Sequence, residues 1–397
     1  MGPLPLSYKL AVALRRFPAL HRPIKWVRRS AVPTLGAIGR EAIRAFGISN
    51  PRIGPPLGTF SAFDEVKAGS RRGRVVLETQ GDPELASDSM MARCGLRQHL
   101  QQPWPIFWSH HSGARLITRS LALLNERKQV AYESIYRWNG TKTDPAARYL
   151  HLPPEVRLEG NWTSLCSAWS PNDGPPNFSH WLLDALPRLA LLDEFPPDTK
   201  IIVPARLAEY QQESLRMLGL LDRVRYTTET HLVVENYYFS APPSMVVCYS
   251  PYAVKYLRDR FLGFAEAAFV GPKRFVIDRF KTRGLKNRVE VNRFFEKLGW
   301  AIIDTEKLSF AQEIKLFAEA EAIAGAVGSG FTNAVWCEPG TAVLQFLPET
   351  VLDGSTEWIC QVNRLRWAYQ ICPSNYAFRA EVDLGELRET LEKLGLV

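Results

Sequence analysis

No two of the six cysteines (Cys94, Cys166, Cys248, Cys337, Cys360 and Cys372) form a C-x-x-C pair, and no His/Cys cluster stands at zinc spacing. Neither a disulfide framework nor a structural metal is indicated, and reduced, buried thiols are expected. Nowhere do about 18 to 20 apolar residues run consecutively, as a bilayer span needs, and the N-terminus lacks the apolar block of a signal peptide. The chain therefore reads as cytoplasmic, and on that reading the sequon Asn161-Trp162-Thr163 never meets the enzyme that would use it. No Asp-x-Asp-like triplet suited to a metal-bound phosphate stands out, so phosphate charge would have to be neutralised by protein groups, with no divalent metal and no other cofactor expected.

What the chain does have is size and apolar content. Its 397 residues are 46% hydrophobic, 23% charged and 11% aromatic, which excludes a disordered, collagenous or low-complexity protein. At about 150 residues per domain, two domains are expected. The formal charge of +8 is not spread evenly. Residues 1–50 carry nine Lys/Arg against one acid, Glu41, and the rest is balanced at 40 against 40. In that arm Leu, Val, Phe and Trp26 are mixed with Arg15, Arg16, Lys25, Arg28 and Arg29 in short, Pro-punctuated segments. Such a basic amphipathic arm suits an anionic membrane surface, a nucleic acid or a partner protein. The balanced body, poor in interleaved basic and aromatic residues, argues against nucleic acid; a solvated or partner-docking tail stays open beside peripheral attachment at the inner face of the plasma membrane, which is the expectation carried forward.

From Pro51 to about Gly73 the chain is rich in Gly, Pro and Ser and reads as a linker. Residues 74–150 show one short strand, RVVLE, and weak periodicity. After Tyr149 the pattern sharpens. Strands at 200–205 and 231–241 alternate with helical segments at 209–221 and 253–269, and a second series follows. That series places strands at 274–278, 300–304, 322–327 and 341–347, with helices at 289–299 and 309–320. Alternation of this kind predicts parallel βαβ units: an α/β fold of two Rossmann-like domains, residues 74–270 and 271–397, preceded by the arm and linker of residues 1–73. Ligands of such sheets collect at the carboxyl ends of strands.

Three constellations could carry chemistry. In NFSHWLLDALPRLALL, His180, Asp184 and Arg188 recur at i, i+4 and i+8 on a helix that starts near Asn177 or Ser179 and meets Pro187. An imidazole oriented by a carboxylate can take a hydroxyl proton; the same spacing also makes an ordinary intrahelical ion chain. In AIAGAVGSGFTNAVW an apolar strand ends in Gly328-Ser329-Gly330 before a short helix, which is either a diphosphate cradle or a tight turn. After strand RFVID come Arg279, Lys281, Arg283 and Lys286, cations suited to phosphate where ligands gather. Trp162, Trp169 and Trp181 crowd the His180 region as stacking platforms or core.

Taken together, these residues resemble glycosyltransferase family 61. Its N-terminal signature looks like Asn177, His180, Trp181, Asp184, Pro187 and Arg188. Its C-terminal signature looks like Arg279, Arg283 and Asn287, then Gly299-Trp300 and Leu308-Ser309-Phe310 with Gln312. The closing loop of that signature is matched by Gly325 to Asn333, with Pro339-Gly340 behind it. The likeness runs from about Val156 to Pro348. Two positions depart from it: the loop His of the family is Val327 here, and the usual Ser before the strand-end Arg is Asp278.

The resemblance implies a GT-B-like fold, two Rossmann-like domains facing a central cleft. It also implies an inverting, metal-independent transfer from a nucleotide-sugar, UDP-linked in expectation, to a surface polysaccharide or glycolipid acceptor, as in capsular and exopolysaccharide synthesis. Catalysis would fall to His180 with Asp184. Donor binding would fall to Arg279, Lys281, Arg283, Asn287, Gly328, Ser329, Gly330 and Asn333, and the acceptor side to Asn177, Trp181 and Arg188. If the family's loop His serves catalysis, Val327 implies another group, an atypical donor, or a non-catalytic sugar- or nucleotide-binding member of a polysaccharide assembly complex.

Overall fold

The computed structural model describes residues 59–77, 89–94, 105–118, 121–134, 154–167, 176–243, 250–279, 283–375 and 378–397. The basic arm, Trp169, Cys248 and Lys281 lie outside the described residues. By packing, the described residues divide into two compact units, 59–77 with 105–243, and 89–94 with 250–397. The division falls before the helix Pro251–Phe261 rather than after it, at 270/271. That helix buries Val254, Leu257 and Phe261, and Phe261 meets Phe310 and Trp336 of the second unit edge-on.

Part of the stretch expected to be linker is folded. Strand β1 (Thr59–Phe60) is followed by the helix Ala62–Lys67, whose N-cap Ser61 accepts from the Asp64 N–H at 3.0 Å. The Glu133 carboxylate accepts from Ser61 Oγ at 2.7 Å, from the Ala62 N–H at 3.1 Å and from the Phe63 N–H at 3.2 Å. An acid therefore covers donors that a helix start leaves unpaired, where the helix dipole also favours negative charge. Phe60 and Phe63 then pack against the core around Phe107, Trp162 and Phe239. Gly/Pro/Ser content overstated the looseness of this segment, because the cap partner is distant in sequence.

The first unit holds a nine-stranded sheet. After β1 come β2 (Gly73–Leu77), β3 (Ile106–Ile117), β4 (Leu123–Leu124), β5 (Val130–Ala131) and β6 (Val156–Ser164), then β7 (Lys200–Pro204), β8 (Val224–Thr227) and β9 (His231–Ser240). The order is β1-β5-β4-β3-β9-β6-β7-β8, with β2 on β3. Strands β9, β6, β7 and β8 pair in parallel, as expected of a Rossmann-like unit. Strand β3 pairs antiparallel with β9 and opens a wing of short strands, so this unit is mixed rather than doubly wound. The 12-residue β3 escaped the periodicity because it is buried along most of its length, which removes polar alternation.

The second unit meets the expectation more closely. Strands β10 (Arg274–Ile277), β11 (Ala301–Ile303), β12 (Ala322–Ala326), β13 (Ala342–Pro348) and β14 (Arg366–Cys372) form one sheet in the order β11-β10-β12-β13-β14. Every neighbouring pair is parallel. Strands β12 and β13 are buried throughout, as a sheet covered on both faces requires. On one face Val276, Leu344 and Phe346 pack with Phe295 and Leu387 of flanking helices. On the other Phe275 meets Phe317 edge-on, their centroids 5.3 Å apart. In chain order the strands read 2-1-3-4-5, so the connections leave β10 to opposite sides and open a crevice at the carboxyl ends of β10 and β12.

Among the described residues no helix is long and apolar enough to cross a membrane. Cys166, Cys337, Cys360 and Cys372 are buried free thiols, and Cys94 is partly buried. Burial pushes the Cys94 and Cys166 thiols up to about 11 and Cys372 up to about 12, which keeps them protonated and unreactive. The Glu133 cap leads to a direct expectation. Glu133→Ala should lower unfolding stability in urea by about 1–2 kcal/mol and speed proteolysis near residue 60; an unchanged midpoint would show that the cap contributes nothing.

Candidate functional site

The second unit places its candidate residues at the crevice between β10 and β12. Strand β10 ends at Ile277, so Asp278 and Arg279 emerge from its carboxyl end. Strand β12 ends at Ala326, and the 3-10 helix Ser329–Trp336 starts after Gly328. The guanidinium of Arg279 lies on Gly328: a Cβ built at that glycine would meet Arg279 Nη1 at 1.6 Å and Cζ at 2.5 Å. Gly328 has extended backbone, φ 165°, so what demands glycine there is this close approach and not the dihedral. Gly330 lies over Ile277, with the Thr305 hydroxyl 3.8 Å from where its Cβ would be. The spacing of two separate motifs thus converges on one spot.

Its electrostatics fit an anion. Burial first, and then the charge of Arg283, pull the Arg279 pKa below the ordinary guanidinium value, with Glu306 acting in the opposite sense. Two cations within each other's field, one half-buried, are stabilised by a phosphate between them. Arg283 itself holds φ 53°, a left-handed conformation that costs a non-glycine residue about 1 kcal/mol. The Phe331 N–H closes the turn on Gly328 O at 3.1 Å, and the helix start directs the N–H groups of Ser329 and Gly330 outward from its N-terminal end.

Other predicted donor-side residues hold the fold. Asn287 donates Nδ2 to Val382 O at 2.8 Å and accepts from the Val382 N–H at 3.0 Å, tying the helix Arg288–Lys297 to the segment before Leu384–Lys393. Asn333 is 1% exposed; it donates to Glu313 Oε2 at 2.8 Å and accepts from Trp336 Nε1 at 2.9 Å. Both amides are thus engaged within the fold, and Asn333 is buried. Asp278 is bound by Arg288 through both carboxylate oxygens, and this pairing holds its carboxyl below the usual range. Nothing in the sequence linked these two, since the partner lies on the next helix. Val327, where the resembled family has His, is 1% exposed in a cluster with Met90 and Leu347, flanked by Trp367 and Tyr369.

In the first unit, Asn177 caps the helix that carries His180, its Oδ1 accepting from the His180 N–H at 3.3 Å. The helix then changes winding twice, from α over Phe178–His180 to π over Trp181–Ala185 to 3-10 over Leu186–Glu194. Pro187 explains the change: it has no N–H and its ring would strike the carbonyl four residues back, so the turn before it widens and the Leu186 N–H reaches Trp181 O. His180 Nδ1 and Asp184 Oδ2 still meet, at 2.5 Å, with 8% of each side chain accessible. With Nδ1 engaged by the carboxylate, Nε2 is the nitrogen positioned to exchange a proton with another group.

Arg188 and Trp181 are placed differently from expectation. Arg188 is 4% exposed, donates to Cys166 O at 3.3 Å and leaves its buried Nε unbonded. Burial lowers its pKa, against the opposing influence of Tyr237, Cys166 and Asp184. Trp181 is fully buried and donates its indole N–H to Ser214 Oγ at 3.0 Å. Both are interior residues and not an acceptor surface, because the widened turn and tight 3-10 winding break the i, i+4, i+8 alignment that a uniform helix would give. Among the described residues no three His, Cys, Asp or Glu side chains gather as a metal site.

Fold and site together define an α/β protein with a doubly wound unit whose strand-end cations flank a small-residue turn. Residues 178–344 match the family model described as Glycosyltransferase 61, a span from the His180 helix through β10 and β12 into β13. The match supports a glycosyltransferase, with a donor and an acceptor to bind. No curated protein matches the chain.

Two substitutions test the site. Gly328→Ala should leave the fold intact, since the group it strikes is the end of a flexible side chain, yet weaken pyrophosphate binding about tenfold by displacing Arg279; equal affinity by calorimetry would contradict the cradle. Val327→His would bury an imidazole among hydrocarbon at a cost of about 1–3 kcal/mol. Thermal unfolding at matched pH reads this, and an unchanged midpoint would mean the cluster admits a polar ring.

Proposed function

We propose that the chain is an inverting, metal-independent glycosyltransferase that uses a nucleotide-sugar, with uridine diphosphate as the leaving group, and extends a surface polysaccharide or glycolipid. The observation that carries the reading is the Arg279 guanidinium seated on Gly328 at the strand-order reversal. There Arg279, Arg283 and the N–H groups of the Gly328–Gly330 turn would hold the diphosphate and stabilise its departure. Lys281, between Arg279 and Arg283 in the sequence, would add charge. In the first unit His180 is the base for the acceptor hydroxyl, and Asp184 holds its tautomer and stabilises the imidazolium that forms. The basic arm would attach the enzyme to an anionic membrane surface on the cytoplasmic side, where lipid-linked acceptors are presented.

A second reading, a non-catalytic sugar- or nucleotide-binding member of an assembly complex, is favoured by Val327 alone. Position 327 itself carries a hydrocarbon side chain where the resembled family carries an imidazole. Turnover separates the two. His180→Ala should reduce transfer by about 10²- to 10⁴-fold with the fold intact, while Arg279→Ala should chiefly weaken binding of uridine diphosphate, measured by calorimetry. Full activity in the first variant would move the base elsewhere. Unchanged affinity in the second would discard the donor assignment, and nucleotide binding without any transfer across a panel of nucleotide-sugars would favour the second reading.

A further inference from the structure

The first unit carries a cavity formed by the antiparallel wing, using none of the residues assigned above. Its volume is about 500 Å³, in the range of small-ligand sites, and its walls are mostly polar. Its lining comes from helix Ala62–Lys67, the residues 70–72 that precede β2, strand β3, the end of β4 and the loop of residues 125–129 before β5. Arg71 forms part of that lining, held in place by Glu65 through its Nε and by His110 O at 3.2 Å through Nη1, which leaves N–H groups of its fork uncommitted. Arg72 and Arg127, both exposed, also line the cavity and form no ion pair among the described residues. The loop bearing Arg127 is closed by hydrogen bonds. Asn125 and Gln129 close it with two backbone bonds, one from Lys128 and one from Asn125, and with two side-chain bonds of 2.9 Å.

The lining also contains a polar atom without a partner. His111 is 3% exposed; its Nε2 meets Ser109 Oγ at 2.8 Å, and its buried Nδ1 has no hydrogen-bond partner. Burial, then Arg71 and His110, push this imidazole down to about 3, so it stays neutral and offers a directional hydrogen bond instead of charge. A buried unpaired nitrogen costs free energy that a ligand or water can offset. Three arginines stand against two carboxylates in the lining, Glu65, already committed, and Glu126.

We propose that this cavity binds an acidic saccharide, its carboxylate taken by Arg72 and Arg127 with Arg71 beneath, and its hydroxyls by His111, Ser112 and Glu126. Planar guanidinium forks match a carboxylate bidentately, and a wall of neutral and anionic acceptors matches a polyhydroxylated ring better than a bare ion. That the ligand is a saccharide rests on the glycosyltransferase reading; the site itself does not.

The test is calorimetry on the full chain with trigalacturonate, with maltotriose as a neutral counterpart, and with inorganic phosphate, without donor or turnover. Trigalacturonate should bind, with maltotriose weaker by about tenfold or more, and the exposed double variant Arg72→Ala/Arg127→Ala, checked for fold by circular dichroism, should lose about tenfold or more of that affinity. His180→Ala and Arg279→Ala should retain it, so this site stands or falls separately from catalysis. Undetectable trigalacturonate binding, equal affinity for maltotriose, or unaltered affinity in the double variant would overturn the proposal. Phosphate that displaces trigalacturonate while binding as tightly would reduce the site to one for a simple anion and overturn the saccharide assignment.

Discussion

The contact of the Arg279 guanidinium with Gly328 is the constraint on which the candidate donor site depends. It exists because β10 and β12 are adjacent parallel strands whose connections leave in opposite directions, so their carboxyl ends face a gap instead of a covering helix. A side chain at position 328 would fill the space that the guanidinium occupies. The cation is thereby partly desolvated beside Arg283, with Glu306 acting in the opposite sense, and a bound anion would add to its stabilisation. Topology, a glycine and a charge imbalance are one arrangement seen at three levels.

The His180 helix shows how a single residue redirects an otherwise regular pattern. Pro187 removes a donor and forces the preceding turn to widen, so three windings follow one another within one helix. The His180–Asp184 pair survives because it spans one turn. Arg188, two turns away, ends in the interior near Cys166 and Tyr237. A buried arginine with one recorded bond is expensive to hold, and its field acts toward Asp184 from within the core.

Much of the signature that marks the matched family turns out to be folding chemistry. Ser309 and Gln312 form a reciprocal capping box, Gly299 holds φ 77° after a helix end, and Trp300 packs against Phe295 in the core. Asn287 and Asn333 pin helices to neighbouring segments. The residues proposed above for chemistry are fewer: Arg279, Arg283 and the Gly328 turn in one unit, and His180 with Asp184 in the other. Val327 belongs to neither group, since it completes an apolar cluster with Met90 and Leu347.

Read by itself, the sequence determined the strand and helix alternation of residues 274–348 to within a residue or two, a helix cap near Asn177 or Ser179 and the i, i+4 meeting of His180 and Asp184. These rest on periodicity, punctuation and short spacing, which are local properties of a chain. Only the tertiary structure decided that Glu133 caps a helix inside an apparent linker, that β3 is a central strand, and that Asn287, Asn333, Trp181 and Arg188 serve the interior. It alone also brought Arg279 onto Gly328. Such outcomes depend on partners remote in sequence, and no window of neighbouring residues carries information about which distant atoms will share its space.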